Sequence, residues 1–459
     1  MPARVAPSGC GHLGCAIHGM PLSATRGNLA VPQTPSEVGF EEDAMGALEQ
    51  VDPEVAAVIR HEEGRQHSVL EMIPSENYAS AAVMEAVGSV LTNKYAEGYP
   101  GARYYHGNRF VDDVENLARD RAKALFGYEH ANVQPHSGTQ ANMAVYLGLL
   151  NPGDTVMGLK LDAGGHLTHG SPVNASGLLY NFVSYGVDRE THIVDYDDML
   201  AVAKEHRPKI IVVGATAYPR VWDFQRAREI ADEVEAVLMA DMAHLAGLIV
   251  GGAHPSPVGI APIMTTSTHK TLRGPRGGMV LADRRYRLRI DRGVFPGSQG
   301  GPMMHAIAGK AVMLKEAATP EFRAHVNQIV ANAKALAATL TDAGIVLISG
   351  GTDNHLVLVD VRPLGLNGVQ AADALEAAGI VVNSNPIPFD TLPPREGGGI
   401  RFGTPAITSR GMAEAEMRTI GQCMARILQA PSDAGVRDQV AKTVRELTAR
   451  FPAPGVPVQ

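Results

Sequence analysis

Apolar residues in this chain gather in short unbroken runs, separated by longer stretches with helical periodicity. Ile210-Ile211-Val212-Val213, Val237-Leu238-Met239-Ala240 and Met279-Val280-Leu281-Ala282 are such runs. A run without polar alternation suits a strand buried on both faces, so these predict strands of a mostly parallel sheet. The polar residues that follow them fall where open α/β sheets bind ligands. Gln134-Pro135-His136-Ser137-Gly138-Thr139-Gln140 leads into Ala141 to Leu147, which predicts a helix starting at the Ser-Gly-Thr step. Past Glu321, an alanine-rich helix over Asn327 to Leu340 precedes the clear strand His355 to Asp360. The pattern divides the chain into a disordered extension (1–45), a helical N-terminal arm (46–92), a large α/β domain (93–320) and a smaller C-terminal α+β domain (321–459). There is no internal repeat.

Composition narrows the class. A length of 459 residues exceeds one compact core, and 45% hydrophobic with 19% charged residues describes a globular chain with much to bury. A net charge of -8 gives no basic field for nucleic acid or an anionic membrane. No apolar run reaches the ~18 residues of a membrane span. Cys10, Cys15 and Cys423 are too few for a disulfide framework, which points to a reducing cytoplasm. Met1 to Gly39 is rich in Gly, Pro, Ala and Ser. Its two arginines, Arg4 and Arg26, are thin for a transit peptide, so a disordered extension or an early start is the better reading. Cys10, His12, Cys15 and His18 lack a packed scaffold, so no metal site is expected there or elsewhere.

The chemistry concentrates around Lys270. Thr265-Thr266-Ser267-Thr268-His269-Lys270 runs into the glycine-rich Arg273 to Gly278, and upstream Asp241 closes an apolar run, followed by His244. A buried carboxylate and a lysine among hydroxyls suit pyridoxal phosphate. The lysine binds the cofactor covalently, and the aspartate keeps the pyridine nitrogen protonated so that the ring can accept electrons. Taken alone, that pair reads better as a buried salt bridge beside a turn. Ser137-Gly138-Thr139 adds hydroxyls and free N–H groups at a helix start, a seat for a phosphate dianion, although by itself it is an ordinary N-cap. The three together favour an enzyme.

Longer stretches carry a specific resemblance. They are Ile73 to Tyr78, Thr92 to Gly101, Gly164 to Gly170, the lysine segment, Phe295 to Pro302, Gly350 to His355 and Gly399 to Ala406. From about Glu49 to Leu428 the chain resembles serine hydroxymethyltransferases, of the aspartate-aminotransferase-like fold type I of pyridoxal-phosphate enzymes. The resemblance implies an α/β fold and a set of roles. Lys270 would hold the cofactor and Asp241 its ring nitrogen, with His166 over the ring face. His244 and Thr216 would approach the phenolic oxygen. Ser137, Gly138 and Thr139 would hold the phosphate, joined by Gly301 from a second subunit. Arg401, with Ser75 and Tyr105, would bind the substrate carboxylate through a planar fork. Tyr95 and Tyr105 would cross a homodimer interface, with a tetramer also open. Glu97 would handle protons at the substrate hydroxyl or the folate, and Ser267 and His269 would assist exchange at Lys270. Tyr104, Leu161, Gly165, Leu167, Asn385 and Arg395 would border tetrahydrofolate, the co-substrate.

The implied reaction moves a hydroxymethyl group reversibly between serine and tetrahydrofolate, leaving glycine. Departures from the family pattern fall mostly at the folate side. Pro394-Arg395-Glu396-Gly397-Gly398-Gly399 replaces an apolar loop and is expected to be mobile. Asn383-Ser384-Asn385 replaces Asn-Lys-Asn, His106 replaces a glycine, and Ser267 replaces a threonine beside the lysine. Two alternatives keep the cofactor chemistry. One is an α-methylserine hydroxymethyltransferase using D-alanine, and the other a folate-independent aldolase or transaldolase of β-hydroxy amino acids.

Overall fold

The computed structural model describes residues 44–393 and 395–457. Most of the segment 1–45, including Cys10, His12, Cys15 and His18, and Pro394 lie outside the described residues. By its internal contacts the chain divides after Ala56. Before that point lie the helix Ala44–Val51 and the start of the helix Pro53–Ser68. The second unit opens with the rest of that helix and the two-residue strand β1 (Leu70–Glu71). The helix Ala81–Val87 follows, then a hairpin of β2 (Gly98–Tyr99) and β3 (Ala102–Arg103).

A seven-stranded sheet forms the centre. Its strands are β4 (His130–Asn132), β5 (Thr155–Leu159), β6 (Asn181–Tyr185), β7 (Ile210–Val213), β8 (Val237–Asp241), β9 (Ile263–Ser267) and β10 (Gly278–Ala282). They lie in the order β4-β10-β9-β8-β7-β5-β6. The pairs from β6 across to β9 are parallel, and the apolar runs of β7 and β8 are buried on both faces, as the pattern predicts, while β9, which ends in Thr265-Thr266-Ser267, is buried too. Within this mostly parallel sheet β10 pairs antiparallel with both β9 and β4. The connection Thr268 to Gly277 is too short for the crossover of about a dozen residues that a parallel return needs.

Two more strand groups complete the unit. β11 (Val346–Leu347), β12 (Leu356–Asp360), β14 (Asn383–Asn385) and β15 (Gly399–Gly403) make an antiparallel sheet in the order β11-β12-β15-β14. β13 (Ile380–Val381) pairs parallel with β1, which carries Leu70 and Met72 into the core of this smaller sheet. The alanine-rich helix is longer than expected and spans Pro320–Asp342, capped by Thr319. Phe322, Val326 and Ile329 join the core of the large sheet, whereas Leu336, Ala337 and Leu340 join that of the small one. One continuous helix therefore fixes the two sheets relative to each other. Among the described residues no helix is long and apolar enough to cross a membrane.

Candidate active site

A cavity of about 400 Å³ opens beyond the ends of β7, β8 and β9. It is lined by Ser75, Ser137, Gly138, Thr139, His166, Thr216, Asp241, His244, Ser267, His269, Lys270 and Arg401, so side chains scattered over the sequence converge on one cavity. At one end the helix Gly138–Leu149 begins. The Ser137 hydroxyl accepts from the Gln140 amide at 3.1 Å, while the Gly138 and Thr139 amides find no acceptor among the described residues. An anion satisfies such free N–H groups and gains from the helix dipole. Beneath the cradle, Lys310 is buried and its Nζ donates to the carbonyls of Val133 (2.7 Å), Pro135 (2.9 Å) and Gly278 (2.9 Å). Burial pushes its pKa down to about 7.

Asp241, the last residue of β8, sits at the other end. Its Oδ2 accepts from Asn142 Nδ2 at 2.8 Å and His169 Nε2 at 3.0 Å, and its Oδ1 from the Ala243 amide at 3.1 Å. Burial opposes ionisation here. The His169 hydrogen bond, the nearby His169 and His166 imidazoles and Asn142 outweigh it, and hold the carboxyl below the usual carboxylate range. A carboxylate has about four lone-pair sites, so Oδ1 can still accept from a protonated ring nitrogen. Gly214 lets β7 close against this residue. It has φ +134°, and a side chain there would meet the Asp241 carbonyl at 2.1 Å.

The main-chain carbonyl of Lys270 accepts from Asn77 Nδ2 at 3.1 Å and the Arg273 amide at 2.9 Å, so its side chain is aimed from a fixed base. Burial first, then Arg401 and Arg276, push the Lys270 amine down to about 8, against the pull of Asp241. A larger share of free amine, the nucleophilic form, follows at neutral pH. Ser267 Oγ donates to the Ala243 carbonyl at 3.0 Å. His269 Nδ1 has no partner among the described residues, and burial holds the ring neutral, with its pKa lowered to about 3. His166 Nδ1 lies 2.7 Å from the Thr168 hydroxyl, and burial lowers its pKa to about 4. A neutral ring suits flat packing on a conjugated system.

Arg401 lies in the middle of β15, opposite Asn383 of β14. Its Nε donates to Asn383 Oδ1 at 3.0 Å and its Nη1 to the Thr216 carbonyl at 2.6 Å. These bonds aim the guanidinium, and burial lowers its pKa to about 10. Arg401→Lys keeps the charge and loses the fork. It raises the KM for serine roughly 10- to 100-fold, the loss of one charge-assisted hydrogen bond, with kcat changed less. Steady-state kinetics at several serine concentrations checks the split.

Other expected site residues do not line this cavity. Tyr95, Tyr104 and Tyr105 are exposed, and Tyr95 packs edge-on against Tyr105 at 5.2 Å. The Tyr95 hydroxyl donates to Glu97 at 3.1 Å, and the Tyr95 ring covers Gly301. Leu161 and Leu167 are exposed, while Gly165 is buried with its amide on the Lys160 carbonyl. Asn385 bonds the Pro386 carbonyl, and Arg395 is exposed. The glycine loop is hydrogen-bonded at several points. Glu396 and Gly397 bond Pro393, Gly368 bonds the Gly397 carbonyl, and Gly398 donates to Asp390 Oδ2 at 2.6 Å. Glycine is used there for close approach, since a Cβ on Gly398 would meet Asp390 at 2.8 Å.

Sequence reasoning misses several contributors. Asn142 sits one helical turn after Gly138 and so faces the same way, and His169 follows His166 by three residues. Those spacings are readable. Lys310 is not, because a lysine within a helix normally reads as surface. Glu76 and Arg276 also line the cavity. His166, His169 and Asp241 bring possible metal ligands within 4.8 Å of one another. These groups are already engaged, His169 with Asp241 and His166 with Thr168.

Comparison with known proteins agrees with this geometry. The family model described as serine hydroxymethyltransferase matches residues 48–424. A serine hydroxymethyltransferase of Koribacter versatilis (strain Ellin345) is 57% identical over 406 residues, which cover 88% of this chain and 95% of that protein. With its anion cradle, clamped aspartate, lysine and buried arginine around one cavity, the chain belongs to the serine hydroxymethyltransferase family.

Proposed function

We propose that this enzyme transfers a hydroxymethyl group reversibly between serine and tetrahydrofolate, giving glycine and 5,10-methylenetetrahydrofolate, with pyridoxal phosphate as cofactor. The observation that carries the reading is the convergence of Lys270, Asp241, the free amides of Gly138 and Thr139, and Arg401 on one cavity. The donor set fits the cofactor, with N–H groups for its phosphate, a carboxylate for its ring nitrogen and an amine for its aldehyde. When bound, the cofactor supplies an electron sink for the bond cleaved at the substrate's Cα.

The chain's own residues do the rest. Arg401 takes the substrate carboxylate and thereby sets which Cα bond faces the ring. Lys270 would hold the cofactor's aldehyde carbon, and its buried amine, with a pKa lowered to about 8, would be the base beside the substrate's Cα. Ser75 closes the carboxylate pocket, and Ser267 and His269 flank the lysine. Tyr95, Glu97, Tyr105 and Gly301 lie outside their own cavity, which supports a homodimer in which they complete a second subunit's site. The folate would meet Leu161, Gly165, Leu167, Tyr104, Asn385 and Arg395. The reading also keeps the enzyme in the cytoplasm.

The 57% identical relative supports serine and tetrahydrofolate over D-alanine or a folate-free aldol reaction. Absorbance titration of the cofactor-loaded protein with glycine and with D-alanine, each with and without tetrahydrofolate, tests the choice. The expected result is a long-wavelength band with glycine that grows severalfold with folate. A response to D-alanine but little to glycine moves the activity to α-methylserine. Indifference to folate with both amino acids overturns the transfer and leaves an aldolase.

A further inference from the structure

His244 and His355 meet behind the cavity. His244 Nδ1 and His355 Nε2 are hydrogen-bonded at 3.2 Å, with ring planes 25° apart and centroids 5.4 Å apart. The contact is therefore edge to edge and nearly coplanar, as an N–H···N bond between two imidazoles requires. Both rings are buried, His355 completely. Burial, with Lys270 and Arg401 nearby, keeps both neutral, His355 with a pKa down at about 3. A neutral pair shares one proton along this bond, so only two arrangements exist.

The free ends decide between them. His244 Nε2 and His355 Nδ1 are both buried without a partner among the described residues, but His244 lines the cavity and His355 does not. If His244 donated to His355, the proton on His355 Nδ1 would be a buried, orphaned N–H, the rarest kind of unsatisfied group. If His355 donates, a bare lone pair is left on His355, and the unpartnered N–H is that of His244, on the wall of the cavity, where water or a ligand can accept it. The energetic difference is that of stranding a buried donor.

We propose that His355 is a positioning residue that sets the tautomer of His244, so that His244 presents an Nε2–H donor to an anionic oxygen in the cavity. Under the proposed function that oxygen is the cofactor's phenolic oxygen. Only the identity of the oxygen rests on that reading, because the tautomer exists without cofactor. The arrangement is a pairwise version of a buried acceptor or donor orienting a histidine from behind.

The test reads the tautomer directly. Full-length, cofactor-free protein labelled with 15N on histidine is measured by magic-angle-spinning NMR, with His244→Gln used to assign the His244 signals. The expected spectrum has His244 protonated on Nε2, with a hydrogen-bonded, bare Nδ1. His355→Glu, which can only accept, is expected to move the His244 proton to Nδ1. A wild-type His244 protonated on Nδ1 overturns the proposal, even if the glutamate variant fails to fold. So does a folded glutamate variant with an unchanged His244. Affinity for pyridoxal phosphate gives a second readout. His355→Leu weakens it roughly tenfold, while His355→Gln, whose amide can donate, stays within about threefold of wild type. Equal losses in the two variants would mark a purely structural role and overturn the proposal.

Discussion

Lys270→Ala loses at least about a thousandfold in kcat with serine. After borohydride reduction, which turns the lysine–cofactor imine into a stable amine, the variant, unlike the wild type, retains no pyridoxal phosphate through denaturing gel filtration, followed by absorbance. The expectation follows from the placement of the amine. Lys270 projects from a main chain tied to Asn77 and Arg273, and its pKa near 8 makes free amine available. Alanine deletes the only lysine lining the cavity among the described residues. Lys270→Arg separates two explanations, since it preserves positive charge but has no nucleophilic amine. An equally deep loss there assigns the effect to nucleophilicity. Retention of activity within tenfold in either variant would mean that the amine does not attack the cofactor. Circular dichroism of both variants establishes that the fold persists.

Asp241→Asn lowers kcat on the order of a hundredfold to a thousandfold, or about 3–4 kcal/mol of barrier. The carboxylate is held ionised by His169 and Asn142, even though burial favours its protonated form. An uncharged amide of the same shape keeps the packing but can no longer hold a ring nitrogen protonated. A second result is expected in the cofactor-free protein. Asp241 is the group that raises the Lys270 pKa, against burial and two arginines. Removing its charge shifts that pKa further below about 8. The sign is fixed, because a cation that loses a neighbouring anion gives up its proton at lower pH. The pH dependence of reductive methylation at Lys270 measures it. If kcat and this pKa both stay put, Asp241 is a structural partner of His169 and nothing more.

Much of this protein is legible in its amino-acid sequence. Unbroken apolar runs locate β7, β8 and β12, because a strand buried on both faces must be apolar at every position. Ser137-Gly138-Thr139 locates the start of the helix at the anion cradle, because capping is local chemistry. The long motifs locate Lys270, Asp241 and Arg401. The folate side is less legible. Glycine at 397–399 suggests freedom, yet Asp390 and the N-terminus of the helix Gly368–Glu376 bind the loop down.

Sequence alone determined which apolar runs would be buried strands, where the helix at the anion cradle begins, and which side chains could carry chemistry, since these depend on neighbours within a few positions. Tertiary structure decided the rest. It turned β10 antiparallel, set Lys310 under the cradle, and made Asn142 and His169 clamp Asp241. It brought His355 to His244 across 111 positions, and Arg401 to the Thr216 carbonyl across 185. Such contacts depend on how separate elements pack and on the register in which strands pair, and no local pattern encodes either.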